Sequence, residues 1–159
     1  MITLGIETSC DETALCLLET HQKEGIFEYR ILGNIIHSQI EMHKEYGGVH
    51  PTIAKREHTK NLPILYEKLK KEAVINEKDI GQIAVTQGPG LEPALWTGIV
   101  FTKELQSKLR IPLIPVNHME GHIVSTLLDS STVHRDFKKL KPITFPAIAL
   151  LISGGHTEI

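Results

Sequence analysis

Three β-favouring segments follow one another at the start of the chain, and only afterwards do helical and strand signals alternate. Ile2 to Glu7 and Thr13 to Leu18 flank the polar loop Thr8, Ser9, Cys10, Asp11, Glu12, which reads as a hairpin. Polar turn material from His21 to Gly25 leads into Ile26 to Ile36, where Ile26, Tyr29, Ile31, Ile35 and Ile36 mark a third strand. A meander of three antiparallel strands is the economical reading. The rest of the chain must build onto this unit.

Gly47 and Gly48 break the chain before Pro51, a residue suited to a helix's first turn because its missing donor would be unpaired there. Ala54, His58, Leu62, Leu65 and Leu69 then recur on one helical face, with a basic, solvated face opposite and a kink expected at Pro63. Ile83 to Thr86 reads as a buried strand. GPGLEPA turns the chain into a helix from about Pro93 to Leu109, its inner face formed by Leu95, Ile99, Thr102, Leu105 and Leu109. Pro112 to Val116 forms another strand, and Asn117 with Glu120 three positions later resembles a capping box opening a helix to about Leu128. Asp129 to Pro142 lacks a sustained period and reads as a linker. Ala147 to Ile152 reads as a buried strand ending in the glycine turn SGGHT.

Meander, helix, strand, helix, strand, helix is the plan of an α/β lobe of the ribonuclease H-like class, used twice in the actin, sugar kinase and heat-shock ATPase folds. Residues 1–142 are thus expected to form one such lobe with its linker, and 143–159 the first strand and turn of an incomplete second lobe. With 159 residues, 41% hydrophobic and 23% charged, the chain has room for one conventional core. The net charge of −2 provides no overall field to attract a polyanion, so nucleic-acid contact needs a local patch. The amino terminus lacks the pattern of a signal peptide, no run reaches the roughly 18 apolar residues of a membrane span, and a cytoplasmic protein is expected. Cys10 and Cys16 read as reduced, packed thiols.

Four local motifs offer chemistry. Hydroxyls and amides of Thr8, Ser9 and Thr13 suit a phosphate, and Asp11 and Glu12 are candidate catalytic carboxylates able to hold its cation; an ordinary polar turn fits the same residues. Pro89 and Gly90 fit the centre of a type II turn that aims a helix N-terminus at an anion, or simply join strand to helix. In HMEGH, His118 and His122 lie four apart on one helical face and offer two metal ligands. Nine histidines in 159 positions yield about half of one such pair by chance, so spacing alone leaves surface histidines open. Glu120 falls one place later than in HExxH, about 100° round the helix, which disfavours a zinc-protease reading and leaves helix capping. The glycines of SGGHT let backbone approach a ligand, and with the first hairpin they form a possible nucleotide clamp.

Taken together, GIETSCDET, YGGVHP with Arg56, Glu57 and His58, GPGLEPAL, NHMEGH and LLISGGHT closely resemble the tRNA N(6)-adenosine threonylcarbamoyltransferase family, once labelled a glycoprotease. The five ordered motifs span essentially the whole chain, and its family's full length is about twice this, two lobes of ordinary domain size. The resemblance implies an acyltransferase that moves threonylcarbamoyl from threonylcarbamoyl-adenylate to the exocyclic amine of the adenosine beside the anticodon in ANN-decoding tRNAs. It implies His118 and His122 as ligands of one divalent metal, iron with zinc as the other option, and Leu151, Ile152, Ser153, Gly154 and Gly155 as the substrate-binding strand and turn. Ser9, Asp11 and Glu12 would line the phosphate side, with ATP or the adenylate as ligand.

The family's remaining metal ligand, an aspartate, and its adenosine contacts lie in the second lobe, so this polypeptide alone is expected to be catalytically silent. Glu92, Pro93 and Trp96 depart from the smaller residues common in bacterial members. HMEGH itself is of bacterial type, implying a smaller paralogue and a P-loop ATPase as partners, with a homodimer through the first helices as a further option. Lys55, Arg56, Lys60, Lys68, Lys70 and Lys71 are candidates for tRNA contact, and equally a solvated face. Alternatives are the noncatalytic paralogue itself as a nucleotide-binding scaffold, a sugar kinase or chaperone-type ATPase of the same fold, and a metallopeptidase.

Overall fold

In the computed structural model, which describes residues 1–129, 133, 135–152 and 157–158, β1 (Ile2–Glu7), β2 (Glu12–Lys23) and β3 (Ile26–Ser38) form the expected meander. Its second hairpin is tighter and longer than the sequence suggested. Lys23 pairs with Ile26, and Glu24 and Gly25 alone make the turn, both at positive φ, as the twist of a two-residue hairpin demands. Beyond β3 come the short α1 (Ile40–His43), α2 (Pro51–Ala73), β4 (Ile80–Gly88), α3 (Glu92–Leu109), β5 (Leu113–Asn117) and α4 (His118–Ser125). β1, β4 and β5 run parallel, so α2 and α3 serve as crossovers, and with β6 (Lys138–Lys139) the sheet order is β5-β4-β1-β2-β3-β6.

Alternation along the strands sends one set of side chains towards these two helices. Leu4 and Ile6 of β1, Leu15 and Leu17 of β2, Ile35 of β3 and Ile83 and Val85 of β4 are buried together with Leu62, Leu65 and Leu69 of α2 and Leu105 of α3. The face expected for α2, from Ala54 to Leu69, is thus the buried one. The helix continues through Pro63. In α3, Ala94 and Gly98 share the buried face with Leu95, Thr102 and Leu105, whereas Ile99 and Leu109 are half-buried.

Three further sequence expectations differ from the structure. Lys138–Lys139, inside the expected linker, forms β6 and pairs with Glu28 and Tyr29 of β3, because the exposed β3 edge carries backbone groups that need partners. From 147 to 152 only Leu151–Ile152 is a strand, β7, joined to β8 (Thr157–Glu158) in a separate two-stranded sheet. Ile148 is 84% exposed, since none of the described residues pairs with this part of the run or covers it. Cys10 is exposed rather than packed, while Cys16 is half-buried, and burial pushes its thiol up to about 11. Among the described residues, no helix is long and apolar enough to cross a membrane.

At the far end of α2, Glu77 accepts from Lys70 and lies 2.9 Å from Lys108 of α3, tying both crossovers together. Hydrogen bonds from Lys108 and Lys70 pull its carboxyl down to about 2. The stabilisation is complete above the ordinary carboxylate value of 4.5 and fades as pH falls towards 2. Glu77→Gln is expected to lose about 1 kcal/mol at pH 7 in urea titrations. The gap from the unsubstituted chain should narrow steadily below pH 4.5; a gap constant with pH would contradict this role.

Candidate functional site

The loop between β1 and β2 is held by its carbonyls. Three in succession accept a hydrogen bond, each from a different element: Ser9 from the Leu91 amide at the head of α3 (2.7 Å), Cys10 from His58 Nε2 of α2 (3.0 Å), and Asp11 from the Gln39 amide ahead of α1 (2.9 Å). Beneath the loop, Thr8 is buried and donates its hydroxyl to the Ala94 carbonyl (3.0 Å). Gly98 permits that approach, since a Cβ there would lie 2.5 Å from the Thr8 oxygen.

GPGLEPA therefore has a different task from the one its spacing suggested. The Gly88–Pro89 peptide is cis and Gly90 has φ 159°, so the type II turn, which needs about +80° at that glycine, is not formed. Gly90 instead presses on the hairpin loop: a Cβ would meet the Ser9 carbonyl oxygen at 2.7 Å and the Ser9 Cβ at 2.8 Å. The first free amide ahead of α3, that of Leu91, is occupied by Ser9, so at this amide the helix head binds protein, as the plain strand-to-helix junction reading allowed.

β5 ends at Asn117, whose side chain accepts from the Met119 and Glu120 amides (2.8 and 3.2 Å) and starts α4. Glu120 takes part in the cap through its backbone amide, with Asn117 supplying the capping oxygen. The cap rotates both histidines towards the hairpin loop. His118 and His122 stand with rings 4.5 Å apart at 83°, and their Nε2 atoms face each other at 3.0 Å. His118 Nδ1 lies 3.2 Å from Glu7 Oε2 and 3.3 Å from Ser9 Oγ.

Glu7 was not singled out in the sequence, because a lone glutamate ending a strand carries no signal. Burial opposes its ionisation, but hydrogen bonds from Ser9, Thr86 and His118 prevail and hold the carboxyl below its ordinary value. An ionised carboxylate only accepts, so His118 carries its proton on Nδ1 and leaves the Nε2 lone pair aimed at His122. That arrangement suits a cation. Two imidazole nitrogens each about 2.0–2.1 Å from one metal fit a 3.0 Å separation. Among the described residues, no third histidine, cysteine or carboxylate joins them in a ligand group.

Ser9, Cys10, Pro89, Gly90, Leu91, His118, Met119, His122, Ser125, Thr126, Leu150 and Leu151 line a cleft of about 600 Å³. It brings together four of the residues expected from the sequence: Ser9, His118, His122 and Leu151. Asp11 and Glu12 are not in its wall. Glu12 is exposed and opens β2 opposite Ser38, and Asp11 is half-buried beside it. Ile152 is placed by its pairing with Thr157, and Ser153, Gly154 and Gly155 lie outside the described residues. Of the basic side chains on α2, Arg56 and Lys60 flank Glu57, Lys68 faces Glu72, and Lys70 sits between Glu67 and Glu77. Such pairing explains much of that charge without a polyanion.

A meander followed by two helical crossovers, with a cleft where α4 leaves the sheet, defines a lobe of the ribonuclease H-like class. Solved structures share it: YeaZ from Pseudomonas aeruginosa superposes with a TM-score of 0.54 at 15% identity, covering 93% of this chain and 71% of that one. The Thermus thermophilus RuvC structure gives 0.52 at 12% identity over 78% of this chain and 68% of its own. The family model for tRNA N6-adenosine threonylcarbamoyltransferase matches residues 30–159, and the chain belongs to that family. Enzymes of this name from Dictyoglomus turgidum and Thermosipho melanesiensis are 49% and 46% identical over 99% and 100% of the chain. The chain spans 42% and 43% of their respective lengths.

Gly90→Ala is expected to cost about 1–3 kcal/mol, because the methyl group meets backbone that three hydrogen bonds hold in place. Thermal and urea denaturation would read this, and an unchanged midpoint would mean that the loop does not rest on Gly90.

Proposed function

We propose that this chain contributes the metal-binding wall of the active-site cleft in a tRNA threonylcarbamoyltransferase. The reaction joins the adenosine N6 to the carbamoyl carbon of threonylcarbamoyl-adenylate. It breaks the bond from that carbon to the phosphate oxygen, so AMP leaves and the amine gives up one proton. The convergence of the His118 and His122 Nε2 atoms at 3.0 Å on a cleft wall, in a chain of this family, carries the reading.

His118 and His122 would hold one divalent metal, iron(II) or zinc, and the remaining ligands would come from outside the described residues. Bound there, the ion supplies Lewis acidity to an acyl or phosphate oxygen. Glu7 keeps the His118 proton on Nδ1 and so keeps Nε2 free to coordinate. The Ser9 hydroxyl and the neighbouring backbone face the ligand's polar end, and Leu150 and Leu151 supply the apolar opposite side. Asp11 and Glu12, next in sequence to the wall residues, serve the phosphate side when ATP or the adenylate is bound.

We place the protein in the cytoplasm, with tRNA, the smaller paralogue and the P-loop ATPase as partners. A groove between α2 and α3 supports a partner there: Leu62, Pro63, Trp96, Val100 and Phe101 line a depression of about 360 Å³, and Trp96 is 51% exposed. The paralogue, or a second copy of this chain, would cover it.

Titration of the chain with iron(II) or zinc(II) tests the metal assignment. Replacing His118 and His122 with alanine should abolish stoichiometric binding, and Glu7→Gln should weaken it about 10–100-fold with both ligands still present. Binding unchanged in the double alanine variant would overturn the assignment. On its own, the chain should show no threonylcarbamoyl transfer; measurable transfer would mean that the catalytic groups all lie within it.

A further inference from the structure

Beside the cleft, four buried polar side chains form a row that the proposed reaction does not use. His58, Gln39 and Thr13 are fully buried and His43 nearly so. The row begins at the His50 amide, 3.2 Å from His43 Nδ1. His43 Nε2 lies 3.2 Å from Gln39 Oε1, and Gln39 Nε2 lies 3.3 Å from His58 Nδ1. The Thr13 hydroxyl is 2.7 Å from that same nitrogen, and the row ends where His58 Nε2 meets the Cys10 carbonyl at 3.0 Å.

Both ends are chemically unambiguous, and together they set every proton between them. A backbone amide can only donate, so His43 Nδ1 is bare and its proton sits on Nε2, donating to Gln39 Oε1. Turning the Gln39 carboxamide over would present its NH₂ group to His43 Nε2, forcing both nitrogens of one imidazole to accept, which a neutral ring cannot do. A carbonyl can only accept, so His58 carries its proton on Nε2. Its bare Nδ1 then receives the Thr13 hydroxyl and the Gln39 amide. Each donor faces an acceptor only while both rings are neutral. An added proton at His43 Nδ1 would oppose the His50 amide, and one at His58 Nδ1 would oppose the Gln39 NH₂ group, with the Thr13 hydroxyl turned to accept.

We propose that His58 is a positioning residue for the cleft. Oriented by Thr13, Gln39 and His43, its Nε2–H holds the Cys10 carbonyl so that Ser9 stays against Gly90 and within reach of His118. The row thereby couples the segment that opens α2 to the cleft wall. The inference rests on the wall's geometry and stands or falls separately from the reaction proposed above.

Nitrogen-15 spectra of the histidine rings in this chain test the proton order directly. In both His43 and His58 the proton should sit on Nε2 with Nδ1 bare; a proton on Nδ1 in either ring would overturn the proposal. Amide exchange at Leu91, which donates to Ser9, reads the wall itself. His58→Leu should raise that rate at least about tenfold, and His58→Gln, whose NH₂ group can reach the same carbonyl, should restore most of the protection. A folded His58→Leu chain with unchanged Leu91 exchange would refute the positioning role. Should that variant not fold, Thr13→Val, which removes a donor to Nδ1 at nearly constant volume, carries the same expectation of faster exchange.

Acidification provides another reading. Burial keeps His58 neutral below the ordinary 6.5, against the pull of Glu7 on β1 and Asp11 in the loop and with the help of His43 on α1. Leu91 protection should therefore persist as pH falls through 6.5 and decline only once His58 gains a proton on Nδ1, which repels the Gln39 NH₂ group that orients the ring. Loss of protection at a pH where that ring is still neutral would count against the coupling.

Discussion

Three consecutive carbonyls, those of Ser9, Cys10 and Asp11, are each held by a donor from a separate element, and the arrangement of the cleft depends on this. A hairpin loop would ordinarily leave these acceptors to water and move with it. Here Leu91, His58 and Gln39 draw the loop onto the head of α3, the middle of α2 and the approach to α1. The loop is pinned from three directions, and the side chains it carries inherit its position. Ser9 can then lie 3.3 Å from His118, although 109 residues separate them in sequence.

The same economy appears at the two histidines. Helical spacing puts them on one face, but a shared face does not decide which nitrogens meet. The Asn117 cap sets where α4 starts, Glu7 sets the proton on His118, and the resulting lone pair points at His122. A carboxylate half-sheltered by the sheet thereby orders a pair of rings at the edge of an open cleft. The apolar core under α2 and α3 supports this indirectly, by holding β1, and so Glu7, in register with β4 and β5.

The cleft is bounded on its far side by Leu150 and Leu151, beside a segment whose apolar side chains are largely open to solvent. Surface of this kind in a compact protein is normally covered by another element or partner. The groove between α2 and α3, with Trp96 in its wall, is a second such surface.

Much of the fold was legible in order and periodicity. The meander, both crossover helices, the inner face from Ala54 to Leu69, the Asn117 cap and the pairing of His118 with His122 all follow from local pattern, because local sterics and the 3.6-residue repeat act over a few positions. What remained hidden depends on contacts between segments distant in sequence. Glu7 becomes an orienting carboxylate only when β4 and α4 arrive beside it, and Gly90 is required by a carbonyl 81 positions earlier in the chain. Lys138 and Lys139 form a strand because the β3 edge offers them partners, whereas the more strand-like run at 147–150 stays unpaired among the described residues. Sequence alone determined which residues could face one another along each element. Only the tertiary structure decided which atoms meet across elements, since hydrogen-bond direction and proton placement are set by the partner, and partners are chosen by the fold.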